Sequence, residues 1–381
     1  MASDNSGKIC VFAPVHPYWD IRVFQKEAKS LAAAGFDVTL LAQAESDRED
    51  SGVHVKALQK PKNRLHRFAL QPVYAAEVLR TGAKVVHMHN PDTLLVGLVL
   101  KAFGRKVVYD THEDFAKLIL TKTWLPKPAR STVAKLVDAM ERGIGTILDA
   151  VVVTQRGQTD IGRRNVLIEN PPIASGPLID EALSRAAKHE QEREPGVLRV
   201  VFVGRISEDR GLLEMLGALA KVNEKKPARM WLIGAPSKGD EAALERWKQH
   251  PGWQYVDFFG QLPQAEAFSY IGAADVGMIT FLDRADYKTI NPNKLFEYMR
   301  FGTPFIASDF PTWRSYLTEA DNVGHFVDPS NVDAIAKAML WFAEKPEDAR
   351  AMGERAQKFI LERYNWELES EKLISLHASL S

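Results

Sequence analysis

The chain has 381 residues, 45% hydrophobic and 26% charged, enough for two cores of ordinary size and free of the biases that mark disorder, collagen or a disulfide scaffold. Lys plus Arg equals Asp plus Glu at 49 each, so the overall field argues against nucleic acid or a strongly acidic partner and leaves any anion site local. The one cysteine, Cys10 in the apolar run KICVFA, cannot make an internal disulfide, and no run approaches the roughly 18 to 20 apolar residues of a membrane span, so a cytoplasmic protein without a signal segment is expected.

Short β-branched runs alternate with amphipathic segments throughout, the pattern of parallel strands joined by crossover helices. In the first half, strands are predicted over 9–13, 38–42, 85–89, 106–109, 151–154 and 166–169, with a helix over 23–34 stopped by Gly35. Pro171-Pro172 and the charge-rich stretch that follows predict a break in the fold, read as a linker over 173–196. The pattern restarts with strands over 198–203, 230–233, 256–259, 276–280, 305–308 and 325–327. The expected fold class is α/β, two doubly wound Rossmann-like domains facing a deep cleft: 1–172, 197–350, and a terminal helical segment over 351–381 that crosses back to the first domain.

Open parallel sheets bind ligands at the carboxyl ends of their strands, so polar residues after apolar runs are the candidates. After the first strand, His16 and Arg22 are candidates for an acceptor, with Asp20 as a helix cap; the bland reading of Arg22 is a solvated cation. His87-Met88-His89-Asn90-Pro91-Asp92 and Asp110-Thr111-His112-Glu113 both follow strands, and Asn90 and Asp92 join the acceptor set. His87, His89 and His112 form a permitted zinc set, but buried structural histidines are the commoner outcome and no metal ligand is assigned. Two acid-free stretches, 51–76 with Lys56, Lys60, Lys62, Arg64 and Arg67, and 115–137, interleave basic and apolar residues in a manner suited to anionic lipid or arising by chance.

In the second half, Gly204-Arg205 after a strand and Arg210-Gly211 at a helix start would hold a diphosphate by close backbone approach and guanidinium bonds; the alternative is a surface turn with solvated arginines. Asn291-Pro292-Asn293-Lys294-Leu295-Phe296-Glu297 opens another helix, with Lys294 beside free amides and Glu297 on its face. Glu297 would accept two ribose hydroxyls, or else merely pair with Lys294 or Arg300.

The Gly204-Arg205…Arg210-Gly211 motif followed by PNKLFEYM…GTPFIASD resembles the retaining family 4 glycosyltransferases of the GT-B fold, of the kind that build bacterial polysaccharides or glycolipids, over nearly the whole chain. The resemblance implies that Arg205 and Arg210 bind the donor diphosphate, Arg210 standing where the family usually has lysine. It implies further that Glu297 binds the ribose, that Gln261 and Leu262 belong to a base-binding loop, and that the amides of Asn293, Lys294 and Leu295 lie on the donor. Thr289 replaces the family's second glutamate, eight residues before Glu297, which bears on sugar choice. His112 matches a position near the reacting carbon and, with Arg205 and Lys294, makes the expected catalytic set; residues 1–172 then form the acceptor side.

The chain has no D-x-D sequence, so metal-independent transfer from a nucleotide-sugar, a UDP-sugar ahead of GDP-mannose, to a saccharide or lipid-linked acceptor is expected, with no cofactor and an anionic membrane surface as a possible partner. The competing readings are a sugar-nucleotide epimerase or hydrolase of the same fold, and a noncatalytic carbohydrate-binding protein. A nicotinamide dehydrogenase is disfavoured because no G-x-G-x-x-G follows the first strand.

Overall fold

A computed structural model describes residues 7–111, 115–121, 125–156, 161–236, 240–284 and 287–381. The chain divides into two compact units, one of Met1–Asn170 with Trp366–Ser381, the other of Pro171–Asn365.

The first unit holds β1 (Lys8–Pro17), β2 (Asp37–Gln43), β3 (Arg48–Asp50), β4 (Val53–Ala57), β5 (Val85–His89), β6 (Lys106–Thr111), β7 (Ala150–Val153) and β8 (Asn165–Leu167). Their order is β3-β4-β2-β1-β5-β6-β7-β8, parallel except for β3, which folds back on β4. That hairpin is absent from the sequence reading because β3 is three charged residues, with no apolar period, turning through Ser51 and Gly52 at positive φ. The central strands carry continuous apolar runs, Ile9 to Ala13 and Ala150 to Val153 among them, because both faces of the sheet are covered. Cys10 lies fully buried in β1, and burial pushes its thiol up to about 12, which makes it inert at neutral pH.

The second unit holds β9 (Leu198–Val203), β10 (Ala228–Ile233), β11 (Val256–Gly260), β12 (Val276–Ile279), β13 (Phe305–Ser308) and β14 (Gly324–Val327), all parallel in the order β11-β10-β9-β12-β13-β14. The chain starts in the middle, winds one way and then the other, so the order reverses between β9 and β12. The loops after those strands diverge there and open a crevice. In the first unit the reversal falls between β1 and β5.

Two expected boundaries differ. The stretch read as a linker over 173–196 contains the helix Pro177–Gln191, which belongs to the second unit and buries Ile179, Ala182 and Ala186. Those three residues repeat at helical spacing, a period that the surrounding charges on the exposed faces mask. The terminal segment over 351–381 is two helices, Pro346–Arg363 and Trp366–Ala378; the first lies in the second unit and the last residues complete the first unit. Trp366 donates its indole N–H to Ser30 Oγ at 2.9 Å, and Glu369 accepts the amide of Glu169 at 3.0 Å.

Candidate functional site

To one side of the switch point of the second unit, the ends of β9, β10 and β11 surround a pocket of about 360 Å³ lined by Gly204, Arg205, Gly234, Gln261 and Leu262 with their neighbours. The predicted Gly204, Arg205, Gln261 and Leu262 therefore meet, although up to 58 positions separate Gly204 from Leu262 in the chain. Gly234, in the run Ile233-Gly234-Ala235-Pro236, was missed by sequence reading; its signal was a glycine directly after an apolar strand. Its φ is +140°, and a Cβ there would stand 1.8 Å from the carbonyl oxygen of Gly204, so only glycine lets the two backbones cross. The Gly234 amide donates to Gly260 at 2.7 Å, which ties the three strand ends into one rim.

Gly204 itself lies beside two cations. A Cβ on it would stand 3.4 Å from a terminal nitrogen of Arg210 and 3.7 Å from Cε of Lys294. Arg210 lies over the rings of Phe281 and Tyr287, 4.8 and 5.8 Å from their centroids, and its buried Nε makes no hydrogen bond among the described residues. The aromatic faces thus steady a guanidinium whose hydrogen-bonding capacity is incompletely used. Lys294, at the start of the helix Asn293–Arg300, bonds Glu297 Oε2 at 2.6 Å one turn on. Arg205 is exposed. An anion placed here would meet three cations, a glycine backbone and a helix start.

Parts of the expected donor set do not reach this site. Leu295 is fully buried in the core and its amide already bonds Pro292 O at 2.9 Å; the helix needs that position for packing. The Asn293 amide is likewise taken by Asn291 O at 3.0 Å. Arg300, the alternative partner of Glu297, instead donates to the carbonyl of Ala174. Thr289 lies in the turn before the helix.

In the first unit the candidates part company. His16 and Asn90, at the two strand ends flanking the switch point, come within 3.2 Å, and Asn90 holds φ +72°, a conformation strained for any residue but glycine. Asp20 bonds His16 Nδ1 at 3.1 Å and accepts the amides of Arg22 and Val23, as a helix cap does. Burial would raise the Asp20 carboxyl, but the bonds from His16 and the Val23 amide outweigh it and hold it well below the usual range; the same pairing raises His16 against its own burial. Asp92 is not with them: it bonds Arg67 at 3.0 Å, which also removes Arg67 from the expected basic surface. His112 lies outside the described residues.

Arg22 is the largest departure. It was expected at an acceptor or in solvent, and is instead 6% exposed, bonded to Asp110 Oδ2 at 2.7 Å and to Glu27 Oε1 at 2.9 Å. Residues Ile21–Ala28 form a π-helix, whose wider turn brings positions five apart closer to one face and so aims Arg22 and Glu27 together. His87 and His89 share one face of β5, as alternation predicts, and point at the same carboxylates. Burial pushes Glu27 up to about 8, with Arg22 pulling it down and Asp110 pushing it up again; burial and then His87 hold His89 well below the usual histidine range. Glu27 and His377 were missed in the sequence, since neither lies in a motif.

The chain matches the model of the glycosyl transferase 4-like domain over residues 21–174 and that of glycosyl transferases group 1 over residues 184–359. It is 27% identical over 188 residues to the phosphatidyl-myo-inositol mannosyltransferase of Mycobacterium leprae, a match that takes in 48% of this chain; the chain spans about half of that relative's length, 46%. Among solved structures, sucrose-phosphate synthase of Thermosynechococcus elongatus superposes with a TM-score of 0.75 at 20% identity, over 98% of this chain and 99% of the other. Anabaena HepE in complex with UDP gives a TM-score of 0.68 at 16% identity, over 98% and 100%. Among the described residues no helix is long and apolar enough to cross a membrane.

Proposed function

We propose that this chain, which belongs to the family 4 glycosyltransferases with the GT-B fold, moves a hexosyl group from a nucleoside diphosphate to a saccharide or lipid-linked acceptor in cell-surface glycan synthesis. The observation that carries the reading is the convergence of Arg210, Lys294 and the Gly204 backbone beside the pocket at the ends of β9, β10 and β11, with Arg205 on its lining. Departure of a nucleoside diphosphate builds negative charge on its phosphates, and cations fixed before the reaction stabilise that charge without reorganising. Arg205, Arg210 and Lys294 take this role; Glu297, one turn beyond Lys294, receives the ribose hydroxyls, and the Gln261-Leu262 loop lies against the base.

The same reading assigns His112 to the reacting sugar, retention of configuration, and transfer without a metal at the diphosphate. A UDP-sugar is favoured over GDP-mannose; HepE holds UDP and UDP-glucose on this fold. The exposed Lys60, Lys62 and Phe68 form the part of the first unit proposed to touch anionic membrane. The test is calorimetric titration of UDP, GDP, ADP and dTDP into wild type and Arg210→Ala, followed by product analysis with and without acceptor. Tight binding of one nucleotide, weakened about tenfold or more in the variant, is expected. Nucleotide turnover that ignores acceptor would replace the transferase with an epimerase or hydrolase, and equal affinity in both proteins would dismiss the diphosphate site.

A further inference from the structure

The ionisable cluster inside the first unit plays no part in the donor chemistry. We propose that Glu27, His87, His89 and Asp110 form a binding site for one zinc-class divalent cation. The four residues come from the π-helix, β5 and β6, are all 0% exposed, and can each offer a ligand atom within 4.8 Å of the others.

The two contacts of His87 are longer than hydrogen bonds, and that of His89 lies at the edge of the range. His87 Nε2 stands 3.6 Å from Glu27 Oε2 and 3.5 Å from Asp110 Oδ2, and His89 Nε2 stands 3.2 Å from the same Glu27 oxygen. Hydrogen-bonded nitrogen and oxygen settle at about 2.7–3.2 Å. Donor atoms around a tetrahedral zinc, with bonds of roughly 2.0–2.2 Å, lie about 3.3–3.6 Å apart. Arg22 Nε is ion-paired with Oε1 of Glu27 at 2.9 Å, and Nε2 of His87 makes no hydrogen bond among the described residues. Two carboxylates and two imidazoles so enclosed suit a cation, since a buried charge is costly unless it is paired.

The surrounding groups orient the set as an outer shell does. Arg22 Nε holds Glu27 Oε1, which leaves Oε2 facing the histidines. His377 Nε2 lies 2.9 Å from His87 Nδ1, and with Nδ1 as donor the Nε2 lone pair of His87 faces inward. Two imidazoles with two carboxylates suit zinc better than calcium or magnesium, which prefer oxygen alone. The role is structural, distinct from the metal-free transfer proposed above.

The test is elemental analysis of the full chain, made without a polyhistidine tag in zinc-supplemented medium and dialysed. Close to one zinc per chain is expected, along with tetrahedral cobalt absorption after refolding with Co²⁺. Removal by chelator under mild denaturation should lower the thermal midpoint by roughly 4 °C or more, and zinc should restore it. His89→Gln should lose the ion and His54→Gln, on the surface, should keep it. A folded wild-type chain without metal, whose midpoint is unmoved by refolding with Zn²⁺, Co²⁺ or Mn²⁺, overturns the site. A full equivalent retained by folded His89→Gln also overturns it.

Discussion

The two units treat charge in opposite ways. Around the pocket of the second unit, Arg205 is exposed, Arg210 keeps a buried nitrogen unbonded, and the Lys294–Glu297 pair is partly open to solvent. In the first unit Arg22, Glu27 and Asp110 are sealed in and turned on one another. Charges open to solvent can be screened or can meet a ligand from outside, whereas sealed charges must be balanced by their neighbours or by an ion enclosed with them. Two arginines of similar appearance in the sequence, Arg22 and Arg210, therefore stand in different electrostatic surroundings.

The sharpest way to break this contrast is Arg22→Met, which keeps the length of the side chain and strands two buried carboxylates. We expect a loss of about 3–5 kcal/mol in the stability of the first unit, read by urea unfolding. A loss below about 1 kcal/mol would mean that Arg22 is as dispensable to the fold as a surface arginine. The next largest effect belongs to His112→Ala, for which transfer should slow by about 100-fold, or ~2.7 kcal/mol, with nucleotide affinity and thermal midpoint nearly unchanged. Wild-type turnover in a stable variant removes His112 from the reaction, while a collapse of the midpoint marks it as structural.

Glu297→Gln sharpens the comparison from the other side. Loss of a charge-assisted bond should cost about 1.5 kcal/mol or more in nucleotide affinity, roughly tenfold, without lowering stability comparably. Nucleoside diphosphates lacking both ribose hydroxyls should bind wild type and variant alike; continued discrimination between the two proteins would place Glu297 on another part of the donor. The smallest effect is expected at the surface of the first unit. Replacing Lys60 and Lys62 by Ser should reduce sedimentation with anionic liposomes by severalfold, more at low salt than at high, and leave donor affinity intact. Equal binding to neutral and anionic vesicles would refute membrane contact. Arg67 is omitted from this test because Asp92 already balances it.

Much of the candidate site in the second unit was legible because it is built from short motifs. Gly204-Arg205, Arg210-Gly211 and Lys294 to Glu297 each follow a strand or begin a helix, and strand ends in a doubly wound sheet converge by topology alone. Gly234 escaped because a glycine after a strand has many uses, and its purpose becomes visible only against the Gly204 carbonyl it approaches. The linker over 173–196 was misread for the converse reason: its charges are conspicuous, and the three buried residues that make it a helix are few.

What the sequence by itself determined is whatever depends on neighbours along the chain: the strand and helix periods, the glycine stop after the first helix, the Asp20 cap and the order of elements that selects two doubly wound sheets. Only the tertiary structure decided where Arg22 goes. Its partner Asp110 comes from a separate strand, and the cluster they share draws in His87 and His377, 290 positions apart, so no local pattern records the meeting. The physical reason is that periodicity encodes which face of an element turns inward, while the identity of a buried charge's partner depends on which other faces are packed against it. A π-helical turn that rotates Arg22 from the expected solvent face onto Glu27 is enough to change its role.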